Sequence, residues 1–234
     1  MADMIQRAES RTRPLSILDL DLIPYPECWE LQKRLASERA EGAIEDTLLL
    51  LEHPHTYTCG RRGGRDHILI SEEELHERGI AVLDVDRGGD VTYHGPGQLV
   101  AYPIVRLAAE GQMADYHAYL RALEQVLINT LADFAINAYR IQGYSGVWVR
   151  GSEGEEKIAA IGVKVDGRGV SSHGIALNVK TDLQYFRYIV PCGIAEKGVT
   201  SMLRLLGKAP EMVEVKSAFS RAFSSVFGFN LVLP

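Results

Sequence analysis

The sequence predicts a single domain of the α/β or α+β class, in which helices flank a mixed β-sheet. Its 234 residues are enough for one well-buried domain, and 46% of them are hydrophobic, as in ordinary globular proteins. Hydrophobic residues recur with helical spacing in some segments and form short strand-like runs in others. Because helices and strands do not alternate strictly, the pattern favours a mixed sheet over an all-parallel one.

Helical spacing is clearest in residues 114–134, where one stripe of the helix is hydrophobic. The stripe consists of Tyr116, Leu120, Leu123, Leu127 and Leu131. Residues 24–40 also have a hydrophobic face opposite a charged one, and residues 211–228 are predicted to form a C-terminal helix. Residues 71–79 predict a short helix that begins at a serine cap and ends at a glycine.

Strand-like hydrophobic runs lie between these helices. They are found at residues 47–53, 81–86, 98–105, 146–149, 157–165 and 170–179. The turn sequence DGRG at residues 166–169 joins the last two runs, so a hairpin is the simplest interpretation. We expect residues 1–14 to form a disordered lead and residues 15–234 to form one domain, since no linker rich in Pro, Gly or Ser divides them.

Composition argues against several classes of protein. The formal net charge is −6, so no global basic field favours nucleic-acid binding. No hydrophobic run reaches the roughly 18–20 residues that a membrane-spanning helix needs, and the first residues lack the hydrophobic region of a secretory signal. The three cysteines are an odd number, so we expect reduced thiols and a cytoplasmic location rather than a disulfide framework.

The densest polar stretch is DRGGDVTYHGPGQL, residues 86–99, between two predicted strands. Its glycines permit backbone conformations that other residues avoid and let backbone N–H groups approach a ligand. The stretch is therefore either a wide turn or a ligand-binding loop. It matches neither of the glycine patterns that bind nucleotide phosphates, so we do not expect a nucleoside triphosphate here.

A cysteine and a lysine are candidates for chemistry. Cys192 lies in the sequence PCGI at the end of a hydrophobic run, where it is either packing material or a nucleophile. A thiol with a pKa of about 8.5 is only about 3% thiolate at pH 7. An ammonium ~4 Å away would lower that pKa by roughly 3 units, with desolvation opposing part of the effect. Lys157 could supply this ammonium, or it could be a surface lysine whose stem packs on its strand.

Three further groups have a structural and a functional interpretation. His94 and His173 are either hydrogen-bonded core histidines or parts of a site. The run HPHTYTC at residues 53–59 has no recognised ligand spacing, so no metal site is expected. The arginines of GRRGGRDH form either a solvated loop or a patch that meets an acidic partner; they are Arg61, Arg62 and Arg65.

Taken together, these segments resemble the octanoyltransferase family, also called lipoyl(octanoyl) transferases or lipoate-protein ligase B. The matching strings, in the family's order, are LEHPHTYTCGRRG (51–63), RGGDVTYHGPGQLVAYPI (87–104), KIAAIGVKV (157–165), SSHGIALNV (171–179), and PCGI followed by GVTSM (191–202). The resemblance implies the fold that biotin and lipoate protein ligases share. It also implies transfer of an octanoyl group from octanoyl-acyl carrier protein to a lysine of a lipoyl domain.

The resemblance also implies roles for individual residues. Cys192 matches the family's acyl-thioester nucleophile, and Lys157 matches the lysine that lowers the pKa of that cysteine. The first substrate-binding segment consists of Arg87, Gly88, Gly89, Asp90, Val91, Thr92, Tyr93 and His94. The other two consist of Ala160, Ile161 and Gly162, and of Gly174, Ile175 and Ala176. Cys59 departs from the aliphatic residue expected at its position and adds a second thiol near the first motif.

The implied reaction needs neither ATP nor a metal, because the donor is already a thioester. Cys192 would form an acyl-enzyme, and an acceptor lysine would then attack it in a ping-pong sequence. Lys157 is the favoured acceptor of that lysine's proton, and His94 is the second candidate as base or as oxyanion support. The small residues near Ala160 and Ala176 would leave room for an acyl chain.

The implied partners are octanoyl-acyl carrier protein as donor and, as acceptors, lipoyl domains of 2-oxoacid dehydrogenase complexes and the glycine cleavage H protein. Both kinds of partner are typically acidic, so the three arginines are candidates for docking, and we expect a monomer. Two alternatives stay open at this point. One is an ATP-dependent lipoate or biotin protein ligase on the same fold, and the other is a non-catalytic acyl-carrier binding module.

Overall fold

The protein is described by a computed structural model over residues 13–109, 111–151, 154–190 and 197–231. Its strands are β1 (Arg13–Leu22), β2 (Asp46–Glu52), β3 (Thr56–Cys59), β4 (Ala81–Asp84), β5 (Thr92–His94), β6 (Gln98–Ile104), β7 (Val147–Gly151), β8 (Gly154–Val165), β9 (Ser171–Asn178), β10 (Gly198–Val199) and β11 (Phe229–Leu231). Its helices are α1 (Tyr25–Glu41), α2 (Glu72–Glu77), α3 (Tyr116–Ala132), α4 (Met202–Leu206) and α5 (Met212–Phe227). Short 3₁₀ helices occur at Arg65–His67 and Leu183–Tyr188.

The described strands form a large and a small sheet, and both are mixed. The large sheet has eight strands in the order β10-β8-β9-β6-β2-β1-β11, with β7 paired to β8 outside that path. Its central pairs are antiparallel, whereas β1 runs parallel to β2 and to β11, and β10 runs parallel to β8. The small sheet has the order β4-β3-β5. A mixed sheet with flanking helices is the predicted fold class.

The central strands of the large sheet are buried on both faces. Along β2, Leu48 and Leu50 pack with α3 and α5, whereas Leu49 and Leu51 pack with α1. Successive side chains of a strand point to opposite faces, so an uninterrupted hydrophobic run suits a strand covered on both sides. The TLLLL run at residues 47–51 therefore specifies a central strand between two layers of helices.

Helices α1, α2, α3 and α5 and the hairpin of β8 and β9 begin and end close to where the sequence predicts, whereas α4 was not predicted. Ser71 accepts a hydrogen bond from the Glu74 backbone N–H, and the Glu74 side chain accepts one from Ser71, which forms a capping box at the start of α2. The DGRG turn joins β8 to β9 as an antiparallel hairpin. In α3 the predicted stripe is buried in its C-terminal part, but Tyr116 is exposed.

Other elements differ from the prediction. The lead was expected to extend to residue 14, but Arg13 and Pro14 belong to β1, where they pair with Phe229 and Asn230 of β11. A strand at the chain's beginning is held by one from its end, a partnership that no local pattern reveals. Strand β1 was not predicted, and neither were the short strands β3, β5, β10 and β11, whose runs of two to four residues give too little periodicity to separate them from a loop. No helix in the described ranges is long and hydrophobic enough to span a membrane.

The small sheet has its own hydrophobic cluster. Contacts with this part of the structure anchor the polypeptide as far as residue 190. Tyr57 and Tyr93 lie in this cluster with Ile189. The Tyr57 hydroxyl donates to the Tyr185 carbonyl over 2.7 Å, and the Val190 backbone N–H donates to the His67 carbonyl over 2.8 Å. The chain is thus fixed to the small sheet just before the segment that contains Cys192.

Gly174 allows β9 to lie close to β6. A Cβ at this position would lie 2.0 Å from the Ala101 carbonyl oxygen and 2.9 Å from Pro103 Cδ. Both neighbours belong to the centre of the sheet and have little freedom to move. We expect Gly174→Ala to lower the free energy of unfolding by about 1–3 kcal/mol, the usual cost of overpacking a core.

Urea unfolding monitored by tryptophan fluorescence measures this cost. Gly167→Ala is the matched control, since nothing lies within 4 Å of the Cβ it would add in the β8–β9 turn. Equal stability of the two variants would contradict the close approach of β6 and β9.

Candidate active site

A cavity of about 490 Å³ lies where the large sheet, the small sheet and the first turn of α1 meet. Its described walls come from the loop before β5, from β5 itself, from the middle of β8 and β9, and from the chain after residue 196. The predicted residues that line it are Arg62, Arg87, Gly88, Gly89, Asp90, Val91, Thr92, His94, Lys157, Ala160, Ile161, Gly162, Gly174, Ile175 and Ala176. The three predicted binding segments thus converge on one cavity. Cys192 lies outside the described residues.

The glycine-rich loop that forms one wall is held by backbone hydrogen bonds on two sides. The Gly88 N–H donates to the Val163 carbonyl of β8 over 3.1 Å. From the other side, the N–H groups of Arg61 and Arg62 donate to the carbonyls of Arg87 and Gly89, each over 3.1 Å. A Cβ on Gly162 would lie 3.1 Å from the Gly88 carbonyl oxygen, so this glycine lets the loop approach β8 closely.

Arg87 connects the same loop to the small sheet. Its guanidinium is buried and donates to the Thr58 carbonyl over 2.6 Å, to the Thr58 hydroxyl, and to the Gly88 carbonyl over 2.9 Å. A planar guanidinium with several fixed donors can satisfy such a set of acceptors at once. Arg87 therefore shapes the loop as well as lining the cavity.

The floor of the cavity is built from small side chains. Ala160 and Ala176 are directly paired across β8 and β9, and their neighbours Ile161 and Ile175 are paired as well. The two glycines of these segments do not add space for a ligand. The backbone of the glycine-rich loop occupies the position beside Gly162, and the backbone of β6 occupies the position beside Gly174. Ala160 and Ala176 are the residues of these segments whose small side chains line the cavity.

Tyr93 does not line the cavity, so its prediction as a substrate-binding residue is corrected. Thr92 and His94 point to the cavity side of β5, and the alternation of a strand turns Tyr93 to the other side. There its ring stacks on Tyr185 at 4.9 Å between centroids, and its hydroxyl hydrogen-bonds to His55 Nδ1 over 2.7 Å. Tyr93 thus helps to hold the 3₁₀ helix at Leu183–Tyr188.

Lys157 reaches the cavity beside an aromatic ring. It is paired with Trp148 across β8 and β7, and its Nζ lies 4.7 Å from the centroid of the indole. A cation over an aromatic face is attracted to it. Lys197 Nζ lies 5.7 Å from the same centroid. The buried indole N–H of Trp148 has no hydrogen-bond partner among the described residues.

His94 belongs to a buried hydrogen-bond network of polar side chains. Its Nδ1 lies 2.9 Å from Gln98 Oε1, and Gln98 Nε2 donates to Asn178 Oδ1 over 3.0 Å. Asn178 Nδ2 donates in turn to the Thr200 carbonyl over 3.0 Å. Burial, the main cause, together with the nearby His53, holds the pKa of His94 well below its ordinary value, so the imidazole is neutral at pH 7.

His173 lies beside this hydrogen-bond network, and its backbone has an unusual conformation. It has a φ of 56° inside β9, in the left-handed region that side chains other than glycine rarely adopt. Its Nδ1 lies 3.2 Å from the Tyr25 hydroxyl and its Nε2 lies 2.7 Å from Asp86 Oδ1. Lys164 and His173 hold the pKa of Asp86 at about 2 despite partial burial of that carboxyl, while burial lowers the pKa of His173. His173 is thus a hydrogen-bonded part of the cavity wall.

The cavity is predominantly cationic. Among the described lining residues the cations are Arg62, Arg87, Lys157 and Lys197, and the carboxylate is Asp90. Asp90 already accepts hydrogen bonds from the Val91 N–H and from His67 Nδ1. Arg61 and Arg65 lie outside the cavity on the exposed surface next to it, and Arg65 forms an ion pair of 3.3 Å with Asp84.

Neither Cys28 nor Cys59 has the surroundings of a reactive thiol. Both are free and buried, and burial raises the pKa of each, that of Cys28 to about 12. His53 and His55, which precede Cys59, hydrogen-bond to tyrosine hydroxyls. Over the described ranges, no group of three or more His, Cys, Asp or Glu residues could hold a metal ion.

Several cavity residues were not singled out from the sequence. Gln98 and Asn178 lie inside the quoted strings GPGQ and ALNV, but single amides carry no pattern of their own. Trp148 lies in an ordinary strand, and only its register opposite Lys157 gives it a position in the site. Tyr25 comes from the start of α1, for which the sequence offers no signal beyond the helical spacing.

Comparisons with known proteins identify one family. The lipoyl protein ligase A/B catalytic domain family matches residues 24–224. An octanoyltransferase of Chloroflexus aggregans is 50% identical over 220 residues, which cover 94% of this chain and 98% of that protein. An octanoyltransferase of Solibacter usitatus is also 50% identical over 220 residues, covering 94% and 96%.

A solved structure shows a similar fold. A bipartite lipoate protein ligase from Thermoplasma acidophilum, solved in a study of an archaeal lipoylation system with its E2 lipoyl domain, superposes with a TM-score of 0.71. The two chains are 18% identical, and the match covers 95% of this chain and 86% of the other. This likeness confirms the predicted fold class.

The neutral histidines around the cavity make the stability of the fold dependent on pH. Burial lowers the pKa of His53 to about 4, and His94 and His173 are shifted in the same direction. In the unfolded chain these histidines bind protons near pH 6.5. Their contribution to the free energy of unfolding is therefore complete above that pH and is lost as the pH decreases toward 4. For His53 the loss is about 3 kcal/mol.

Urea unfolding between pH 7.5 and 4.5 measures this loss. His53→Gln removes one titrating group and should flatten the dependence, whereas the exposed control His76→Gln should not. An unchanged slope in His53→Gln would contradict the assignment of a neutral His53.

Proposed function

Because this chain belongs to the lipoyl protein ligase A/B catalytic domain family, and within it to the octanoyltransferases, which are acyltransferase enzymes, we propose that it transfers an octanoyl group from octanoyl-acyl carrier protein to a lysine of a lipoyl domain. The observation that carries the proposal is the convergence of three motif segments and Lys157 on one cavity, in a chain half identical to octanoyltransferases. The volume of the cavity lies within the range for small-molecule sites.

In the proposed first step, Cys192 attacks the donor thioester and Lys157 activates it. The Cys192 thiolate forms a new C–S bond with the octanoyl carbonyl carbon, and the carrier's thiolate leaves and takes a proton from solvent. The Lys157 ammonium would favour the thiolate by its charge. Support comes from the flank of the Cys192 segment: Lys197 lines the cavity, and Val199 is paired with Lys157 across β10 and β8.

In the proposed second step, the acceptor lysine attacks the acyl-enzyme and forms an amide. An amide is more stable than a thioester, so this step is downhill and needs no ATP. The amine must lose a proton, and both Lys157 and His94 line the cavity as candidates to receive it. In this proposal no metal takes part, and the acceptors are the lipoyl domains of 2-oxoacid dehydrogenase complexes and the glycine cleavage H protein.

The first experiment looks for the acyl-enzyme. The protein is mixed with octanoyl-acyl carrier protein without ATP and without a lipoyl domain, and its intact mass is measured. We expect one octanoyl adduct on the wild type and on the control Cys59→Ser, and none on Cys192→Ser. Added lipoyl domain should remove the adduct as it becomes acylated, and Lys157→Met should form the adduct more slowly.

Other outcomes identify the alternatives. An adduct that survives Cys192→Ser but not Cys59→Ser would place the nucleophile in the first motif. Transfer that occurs only with free octanoate and ATP would identify a ligase. Binding of the acylated carrier without adduct or transfer would favour a non-catalytic binding module.

The exposed arginines beside the cavity are the proposed docking site for the acidic donor. Arg62 also lines the cavity, so the sharper test reverses only Arg61 and Arg65, which do not. We expect Arg61→Glu/Arg65→Glu to raise KM for octanoyl-acyl carrier protein and to leave KM for a small octanoyl thioester unchanged, because only the carrier reaches the patch.

The control is Lys33→Glu/Arg34→Glu, which makes the same charge change on the exposed face of α1. If the control raises KM as much, net charge and not a docking site causes the effect. Equal increases for both substrates in the Arg61/Arg65 variant would also exclude docking there.

A further inference from the structure

The hydrogen-bond network that links His94, Gln98, Asn178 and the Thr200 carbonyl has one possible direction of donation, and its backbone partners show which. A backbone carbonyl can only accept a hydrogen bond. Gln98 lies 3.1 Å from the Tyr93 carbonyl and Asn178 lies 3.0 Å from the Thr200 carbonyl, so in each amide the atom facing that carbonyl is the NH₂ group. Both amides are thereby oriented by the backbone.

The amide orientations then determine the tautomer of His94. Gln98 Nε2 uses one hydrogen for Tyr93 O and the other for Asn178 Oδ1, which leaves Gln98 Oε1 as an acceptor. The partner of that oxygen is His94 Nδ1 at 2.9 Å, which must carry the hydrogen. A neutral imidazole has only one N–H, so Nε2 bears a lone pair. No described residue hydrogen-bonds to Nε2, and the ring lines the cavity.

The same hydrogen-bond network extends to the backbone of Lys157. Gln98 and Asn178 are directly paired across β6 and β9, and all three buried side chains are at most 5% exposed. Beyond Asn178, the Thr200 carbonyl accepts from its amide while the Thr200 N–H donates to the Lys157 carbonyl over 3.0 Å. The position of His94 is thus tied to the strand that carries Lys157.

The two candidates for the proton of the attacking amine differ in what they can accept. In the proposed first step Lys157 acts as the ammonium that favours the Cys192 thiolate, and an ammonium has no lone pair. His94 is neutral and has its lone pair on Nε2. The alternative of oxyanion support is excluded for this tautomer, because a donor to an oxyanion needs a hydrogen that Nε2 lacks.

We propose that His94 Nε2 accepts the proton of the attacking amine in the second half-reaction, and that Gln98 and Asn178 are positioning residues that hold it in the required tautomer. The inference rests on the proposed two-step function. The acceptor side chain enters as a free amine after losing one proton to solvent. Its nitrogen forms the C–N bond, Nε2 takes one N–H proton, and the C–S bond breaks with Cys192 as thiolate. The imidazolium then loses that proton to solvent, which restores neutral His94 and leaves Cys192 as the thiolate that the first step uses.

The test separates the two half-reactions. Acylation is timed by intact mass after mixing with octanoyl-acyl carrier protein, and the isolated octanoyl-enzyme is then mixed with a lipoyl domain in a single turnover. We expect His94→Gln to slow the second reaction by about 10²-fold or more, the usual contribution of a positioned base. Acylation should be slowed far less, which separates a role in aminolysis from a general loss of binding, and an unchanged circular dichroism spectrum shows that the variant is folded.

Gln98→Met tests the positioning role. It should slow the second reaction less than His94→Gln does and should again affect acylation less than aminolysis. Gln32→Met is the matched control, because Gln32 is an equally buried glutamine that accepts from the His173 N–H and does not contact His94. Hydroxylamine should remove the octanoyl group from every variant, which confirms that the adduct is a thioester.

Each result supports or overturns the inference. If His94→Gln slows acylation as much as aminolysis, or leaves both unchanged, His94 is not the base for the amine. If Gln98→Met behaves like Gln32→Met, Gln98 does not position His94. Absence of an octanoyl-enzyme on the wild type would instead overturn the proposed two-step function, and the inference with it.

Discussion

The site depends on one close contact between the glycine-rich loop and β8. The Gly88 N–H binds the Val163 carbonyl, and Gly162 has no side chain to keep the two backbones apart. Arg87 extends this contact by joining the loop to Thr58 of the small sheet. The small sheet is thereby docked on the large one, and the cavity is the space left between them. A larger residue at Gly162 would separate the walls rather than only narrow the cavity.

Burial controls the chemistry of the groups in this space. Desolvation disfavours charge, so it keeps His53, His94 and His173 neutral, and it makes the thiols of Cys28 and Cys59 harder to ionise. Charge is retained where a partner compensates for it, as at Asp86, which has both Lys164 and His173 as partners. The same environment thus suppresses reactivity in two cysteines and leaves neutral imidazoles available in the cavity.

Most of the fold could be predicted from local patterns, and the exceptions have physical causes. The helices α1, α3 and α5 and the hairpin of β8 and β9 follow from spacing, caps and turn residues that act over a few positions. The pairing of β1 with β11 and the short strands β3 and β5 of the small sheet were not predicted, since their stability comes from partners far away in the chain. Family motifs identified the segments around the cavity, although not the direction of each side chain.

The sequence by itself determined which chemical groups are available: a cysteine in PCGI, a lysine before a small-residue strand, and a glycine-rich loop with a histidine. Only the tertiary structure decided how the described groups are used. Strand alternation separated His94 from Tyr93, and the register of β7 on β8 placed Trp148 against Lys157. Gln98 and Asn178, 80 positions apart, meet because β6 and β9 pair, and their contact determines which nitrogen of His94 carries the proton. Register and alternation depend on how the whole sheet packs, so short motifs do not encode them.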